Sequence, residues 1–391
     1  MPNIHALRKV REQRGLDITH VATFAAISVH RLADFERGER EPSRKQVERL
    51  AETYGVPLYS LFGDAIPNLP PLPQDFRKRD PSPASLTPRG VKTLLMSERT
   101  SQFGKQLAIE LGYKPANLLA QVERLPTPKR HATEIRAIFD AWYRSRAVTL
   151  GFSGSPEQKF FSAFRLFIEV QGGVLQVNDA PPDDYMGFFL KPDAGFPTIF
   201  VNRSIASKKA QLFTLAHEYS HALLGEEGIS NPFRPRNATE RACNVFAAEF
   251  LAPMDEFSRI VEALPRLTRA NVARFIDATS SATLLSKHAA AIRLVEGNYI
   301  SQNDLRMWRR LFTTNPRQEK DEERDATLDS RGHPHAKRIG ELGYLPVVLA
   351  KRAVDKRLID SFDVVEGLGL SHTLQERAFA LAARRFDLAL S

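Results

Sequence analysis

The stretch Leu212-Phe213-Thr214-Leu215-Ala216-His217-Glu218-Tyr219-Ser220-His221-Ala222-Leu223-Leu224 decides how this chain folds around its chemistry. Its apolar spacing predicts a buried helix, and Gly225 is the residue type that ends one. Positions four apart on a helix project from one face, so the imidazoles of His217 and His221 can reach a single ion. Neutral imidazole is a good zinc ligand, and a catalytic Zn2+ takes three protein ligands while keeping one position open for water. Glu218 lies about 100° round the helix from His217, which suits holding that water rather than the ion. The competing reading, a helix whose histidines serve only packing, is disfavoured because two unliganded histidines among Phe213, Leu215, Ala216 and Leu223 would be costly to bury.

A third ligand must come from elsewhere. A histidine six residues after His221 is excluded, because Glu227 stands there. The next predicted helix, Thr239 to Leu251, offers Glu240 and Glu249, which lie on opposite faces, so only one can face the ion. Glu240 is favoured because Asn244, one turn on, could hydrogen-bond a ligand histidine or the carboxylate. An acid in the first turn of a helix is also the ordinary response to the helix dipole. Cys243, close to that face, reads as a small buried residue rather than a ligand.

From about Phe164 to Pro253 the chain resembles the ImmA/IrrE family of bacterial metallopeptidases. The resemblance is carried by Gly172-Gly173-Val174, by Thr198-Ile199-Phe200-Val201-Asn202, by Phe213 to Glu218, and by the run Glu240 to Pro253. It implies a gluzincin-like core: a small twisted sheet, the HExxH helix and a glutamate-bearing helix. It also implies a protein substrate, a helix-turn-helix transcriptional repressor whose cleavage switches on stress or mobile-element genes. Zinc would lower the pKa of its water to about 7 and polarise the scissile carbonyl. Glu218 would take the proton as general base and pass it to the leaving amine. The β-like run Thr198 to Asn202 could be a sheet edge for an extended substrate, or plain sheet structure.

Residues 4–63 read as short helices without a strand. Asp17 and Thr19 offer capping oxygens for the second helix, Ser28 for the third, and Pro42-Ser43 opens the fourth. This unit resembles an XRE/Cro-type helix-turn-helix domain, which places the start of its third helix in the major groove. Ser28, His30 and Arg31 are then candidates for base edges, and Arg37, Arg40, Arg44 and Lys45 for phosphates. His20 stands where a glutamine is common, and Asp34 puts a negative charge on the recognition helix. Protein contact or dimerisation is therefore the competing use of the unit.

Six prolines between Ile66 and Pro88 exclude a helix or central strand and predict an extended linker. A helix is expected from about Thr87 to Arg124, and β-like runs at Val174–Val177 and Met186–Leu190. Helices dominate thereafter, broken by a charged loop from Asn315 to His335. The expected fold class is α+β, divided into a helix-turn-helix domain (1–64), a Pro-rich linker and helical connector (65–130), a zinc metallopeptidase core (131–260) and a helical C-terminal region (261–391). The chain has 391 residues and a formal charge of +9, with basic and acidic residues alternating through most segments, so charge is compatible with DNA binding without requiring it. No run of 18 apolar residues and no secretory leader is legible, and a single cysteine suits a reducing compartment. A cytoplasmic protease-regulator is expected, partnered by a repressor and DNA and compatible with a homodimer. The competing class is a non-catalytic DNA-binding repressor whose metallo-domain senses zinc or a ligand.

Overall fold

The computed structural model describes residues 3–62, 72–75, 86–114, 127–192, 194–205, 207–230, 237–264, 271–313 and 333–390. Helices α1 (Ile4–Gln13), α2 (Ile18–Ala25), α3 (Val29–Arg37) and α4 (Arg44–Tyr54) are followed by a 3-10 turn, Leu58–Leu61. Their ends are set by side-chain chemistry. Asp17, Ser28 and Ser43 accept hydrogen bonds from first-turn amides, and Gly38 and Gly55 close α3 and α4 in the left-handed region that glycine tolerates.

The linker prolines between 63 and 71 and between 76 and 85 lie outside the described residues, as does most of the charged stretch, 314–332. Within the linker, Gln74–Asp75 forms a two-residue strand, β1, which the sequence did not announce. Helix α5 (Pro88–Glu110) is shorter than expected. Gly112, at φ +64°, turns the chain after Leu111, and Tyr113 N–H donates to the Ala108 carbonyl at 2.8 Å, a glycine stop inside an apolar periodicity. Pro128 occupies the first turn of α6 (Pro128–Leu150), where its missing N–H is harmless.

Helix α7 (Pro156–Val170) leads into β2 (Val174–Asn178), β3 (Gly187–Leu190) and β4 (Thr198–Asn202). Then come α8 (Lys208–Leu224), β5 (Gly228–Ser230) and α9 (Ala238–Leu251). The sheet has the order β1-β5-β3-β4-β2, with β1/β5 and β2/β4 parallel and β3 antiparallel to both β4 and β5. Strand β4 is thus interior, and the expectation that it could serve as a sheet edge is overturned: its two hydrogen-bonding sides are taken by β3 and β2. Helices α10 (Met254–Glu262), α11 (Val272–Ala282), α12 (Lys287–Glu296) and α13 (Gln302–Thr313) follow, then α14 (Pro334–Leu342), α15 (Tyr344–Asp355), α16 (Ser361–Leu368) and α17 (His372–Leu390). Among the described residues no helix is long and apolar enough to cross a membrane.

Both faces of the sheet are buried, and the two-residue period of a strand sorts its side chains between them. Phe189, Ile199 and Val201 face a core built from α6 to α9 and the helices after them. Phe188, Leu190, Phe200 and Ile229 face the other way and share one apolar cluster with Val21, Leu32, Phe35 and Leu50 of the helix-turn-helix unit and with Val91 and Leu94 of α5. Phe188 and Phe200 are register partners whose rings stack 4.6 Å apart. Phe200→Ala is expected to cost about 3–5 kcal/mol in denaturant unfolding, the range for emptying a buried aromatic site. A third cluster joins α14 to α17 with Leu107 of α5 and Leu166 of α7. Beneath it the buried carboxylate of Glu169 accepts from Arg165 and from the Leu345 amide, tying the C-terminal helices to the sheet layer.

Candidate metal centre

Helix α8 is capped by Ser207, whose side chain accepts from the Ala210 amide, and it ends at Gly225 with φ +67°. Between these stops Leu212, Leu215, Ala216 and Tyr219 seal it into the core, and from Gln211 to His221, past the first-turn lysines, its polar residues are buried. His217, Glu218 and Glu240 are 0% exposed and His221 is 1% exposed. The neighbouring helix α9, capped by Asn237, carries Glu240 in its first turn and turns it towards α8.

His221 Nε2 lies 3.2 Å from His217 Nε2 and 3.0 Å from Glu240 Oε1, and His217 Nε2 lies 3.5 Å from the same oxygen. These three residues can offer one atom each, all within 4.8 Å of one another. Two imidazole nitrogens and a carboxylate oxygen form the donor set of a zinc site with an open position. The second oxygen of Glu240 is buried with no hydrogen-bond partner among the described residues, as expected of a carboxylate built to meet a cation. The residues therefore fit the metal.

Asn244 stands one turn after Glu240, and its Oδ1 is 2.9 Å from His217 Nδ1. That oxygen only accepts, so His217 must donate from Nδ1, which leaves Nε2 bare toward the other two residues. Asn244→Ala is expected to weaken metal affinity about 10–100-fold, measured by chelator competition, because the ring loses the contact that fixes its tautomer. Glu249, the rival ligand, is engaged elsewhere: it accepts from Arg293 of α12 and, at 3.1 Å, from the Met254 amide.

Burial shapes the electrostatics. It would push the Glu240 carboxyl up, but His217 and His221 outweigh it and hold that group down at about 2. Burial lowers His217, favouring its neutral, ligating form. Burial opposes the charged form of His221 as well, yet Cys243, Glu240 and Glu218 together raise it. Glu218 is pushed up to about 8 by burial, opposed by His221 and by the Ser230 hydroxyl. Cys243 is fully buried beside this cluster, as the sequence suggested, and is among the groups that raise His221.

The helix-turn-helix residues are arranged differently. Ser28, His30 and Arg31 are exposed along the first turn of α3, with Ser28 also accepting from the Arg31 amide. Arg40 and Lys45 are exposed, and Arg44 pairs with Glu48 at 3.1 Å. Arg37 is exposed but bridges Asp34 at 2.6 Å and Glu39 at 2.8 Å. Asp34 is only 8% exposed and paired with Arg37, so its negative charge is balanced locally rather than turned outward against a phosphate. His20 Nε2 lies 2.8 Å from the Leu86 carbonyl just before α5.

An HExxH helix facing a glutamate-bearing helix over a small mixed sheet is the layout of a metallopeptidase-type domain, here preceded by a DNA-binding unit. Comparison with known proteins gives the same division. Residues 169–284 match the IrrE N-terminal-like domain of the M78 peptidases, and residues 5–58 match a helix-turn-helix domain. The HTH-type transcriptional regulator DdrOP3 of Deinococcus deserti is 37% identical over 101 residues, covering 24% of this chain and 77% of that protein. No solved structure matches. The chain thus carries an IrrE-like M78 domain and, ahead of it, a helix-turn-helix domain.

Proposed function

We propose that the chain is a zinc-dependent endopeptidase and transcriptional regulator that cleaves a helix-turn-helix repressor. The observation that carries this reading is the convergence of His217, His221 and Glu240, all buried, with Glu218 in the same helix turn and one of its oxygens without a hydrogen-bond partner among the described residues. His217, His221 and Glu240 would hold zinc, which when bound supplies Lewis-acid polarisation of the scissile carbonyl and acidifies water. Glu218 accepts the proton of the attacking water and delivers it to the leaving amine. Asn244 keeps His217 in its ligating tautomer. In the DNA-binding unit, Ser28, His30 and Arg31 reach base edges, while Arg37, Arg40, Arg44 and Lys45 serve phosphates, Arg37 only after exchanging its internal ion pairs.

The division at 64, 130 and 260, a cytoplasmic site of action and a homodimer belong to the same proposal. The alternative, a non-catalytic repressor that senses zinc or a ligand, has no use for Glu218, because a structural site needs ligands and not a base. The deciding experiment measures bound metal and then incubates the protein with the helix-turn-helix repressors encoded beside it. Zinc-dependent cleavage, abolished by chelator, supports the peptidase. Stoichiometric zinc with every repressor left intact, and DNA binding that changes with zinc, supports the sensor instead.

A further inference from the structure

We propose that Ser230 and Gly187 are positioning residues for Glu218, the hydroxyl holding one carboxylate oxygen and the glycine making room for the side chain. The inference rests on the reading of Glu218 as the base. The two residues are register partners across β5 and β3. They therefore stand side by side on the sheet face that meets α8.

Ser230 is 0% exposed, and its hydroxyl donates to Glu218 Oε1. A buried hydroxyl has no water to turn to, so this donation is its satisfied state. A hydrogen bond to one oxygen leaves the other, Oε2, as the open acceptor of the carboxylate; that atom is buried and has no partner among the described residues. The arrangement thus gives the two oxygens different tasks.

Gly187 acts by absence. A Cβ there would lie 2.7 Å from Glu218 Oε1, 2.9 Å from Glu218 Cγ and 2.8 Å from Thr214 Cγ2. All three contacts are closer than a real side chain permits. Its backbone is not in the left-handed region, so glycine is demanded by space and not by φ. Any other residue would push Glu218 off the sheet and away from Ser230.

The test uses the full-length protein loaded with Co2+, whose visible band reports binding of acetohydroxamic acid. That probe must give up its hydroxyl proton as it chelates the ion, and a correctly placed base receives it. Glu218→Gln is expected to weaken acetohydroxamate binding tenfold or more, and Ser230→Ala about tenfold, the scale of one hydrogen bond to a charged group. Ser230→Thr, which keeps the hydroxyl, should stay within about twofold of the parent, and Co2+ affinity should hold within about twofold in all three. Gly187→Ala should reproduce the Ser230→Ala loss; if it fails to fold, the Ser230 series decides alone.

Ser230→Ala binding the probe like the parent, while Glu218→Gln does not, overturns the positioning role and leaves the base reading standing. Ser230→Thr losing as much as Ser230→Ala overturns the role of the hydroxyl. Glu218→Gln binding like the parent overturns the base reading itself, and a protein that takes up no Co2+ overturns the metal centre beneath both.

Discussion

A Glu218→Gln protein is expected to hold its metal as tightly as the parent while cleaving a repressor substrate about 10²–10⁴-fold more slowly, the usual contribution of a positioned general base. The amide has the shape of the acid and its carbonyl can still accept from Ser230, so the helix and the ligand geometry should survive. It cannot take a proton from water. The substitution also removes a buried carboxyl whose ionisation is held back to about 8 by burial. A carboxyl raised above its unfolded value weakens the folded state as pH rises from the unfolded pKa towards the folded one. The zinc-stripped variant should therefore melt no lower than the zinc-stripped parent at pH 7. Cleavage at the parental rate, with full metal content, would remove Glu218 from the chemistry.

The second large effect concerns the metal. Zinc sites assembled by folding contribute apparent binding energies of about 10–16 kcal/mol, so one ligand among three carries several kcal/mol. Glu240→Ala is accordingly expected to lower zinc affinity by roughly two to three orders of magnitude. Chelator competition measures this directly. The loss should exceed that of Asn244→Ala, because Asn244 acts through His217 while Glu240 offers an oxygen of its own. Glu249→Ala provides the contrast: its carboxylate pairs with Arg293, so it should lower the melting temperature and leave zinc affinity near the parental value. Full affinity in Glu240→Ala would exclude this carboxylate as the third ligand.

Much of this centre is legible in the sequence because helical spacing is a short-range code. His217 and His221 must share a face, and Glu240 and Asn244 must share another, whatever surrounds them. The choice of Glu240 over Glu249 needed their opposite phases and the presence of Asn244 one turn after Glu240. Strands β2, β3 and β4 announce themselves through β-branched and aromatic runs. What the sequence conceals is pairing. Nothing local says that Gly228-Ile229-Ser230, three residues between two helices, adds to β3, or that Gln74-Asp75 adds to β5 from more than 150 positions away. The misreading of β4 as a possible edge has the same cause, since a strand's neighbours are chosen by tertiary contacts. Ser230 and Gly187 stayed hidden for that reason: a serine and a glycine acquire meaning only once register sets them against Glu218. Arg37 shows the converse, a plausible phosphate contact whose charge turns out to be answered by Asp34 and Glu39.

The apolar cluster shared by the helix-turn-helix unit and the back of the sheet makes that sheet a party wall. Gly187 and Phe189 serve the tenant on the peptidase side, and Phe188 and Leu190 the tenant on the other. Cutting the chain between the two units would not release a finished metallopeptidase-type domain. It would lay bare a sheet of phenylalanine and leucine, and the DNA-reading helices would leave with part of their own interior missing.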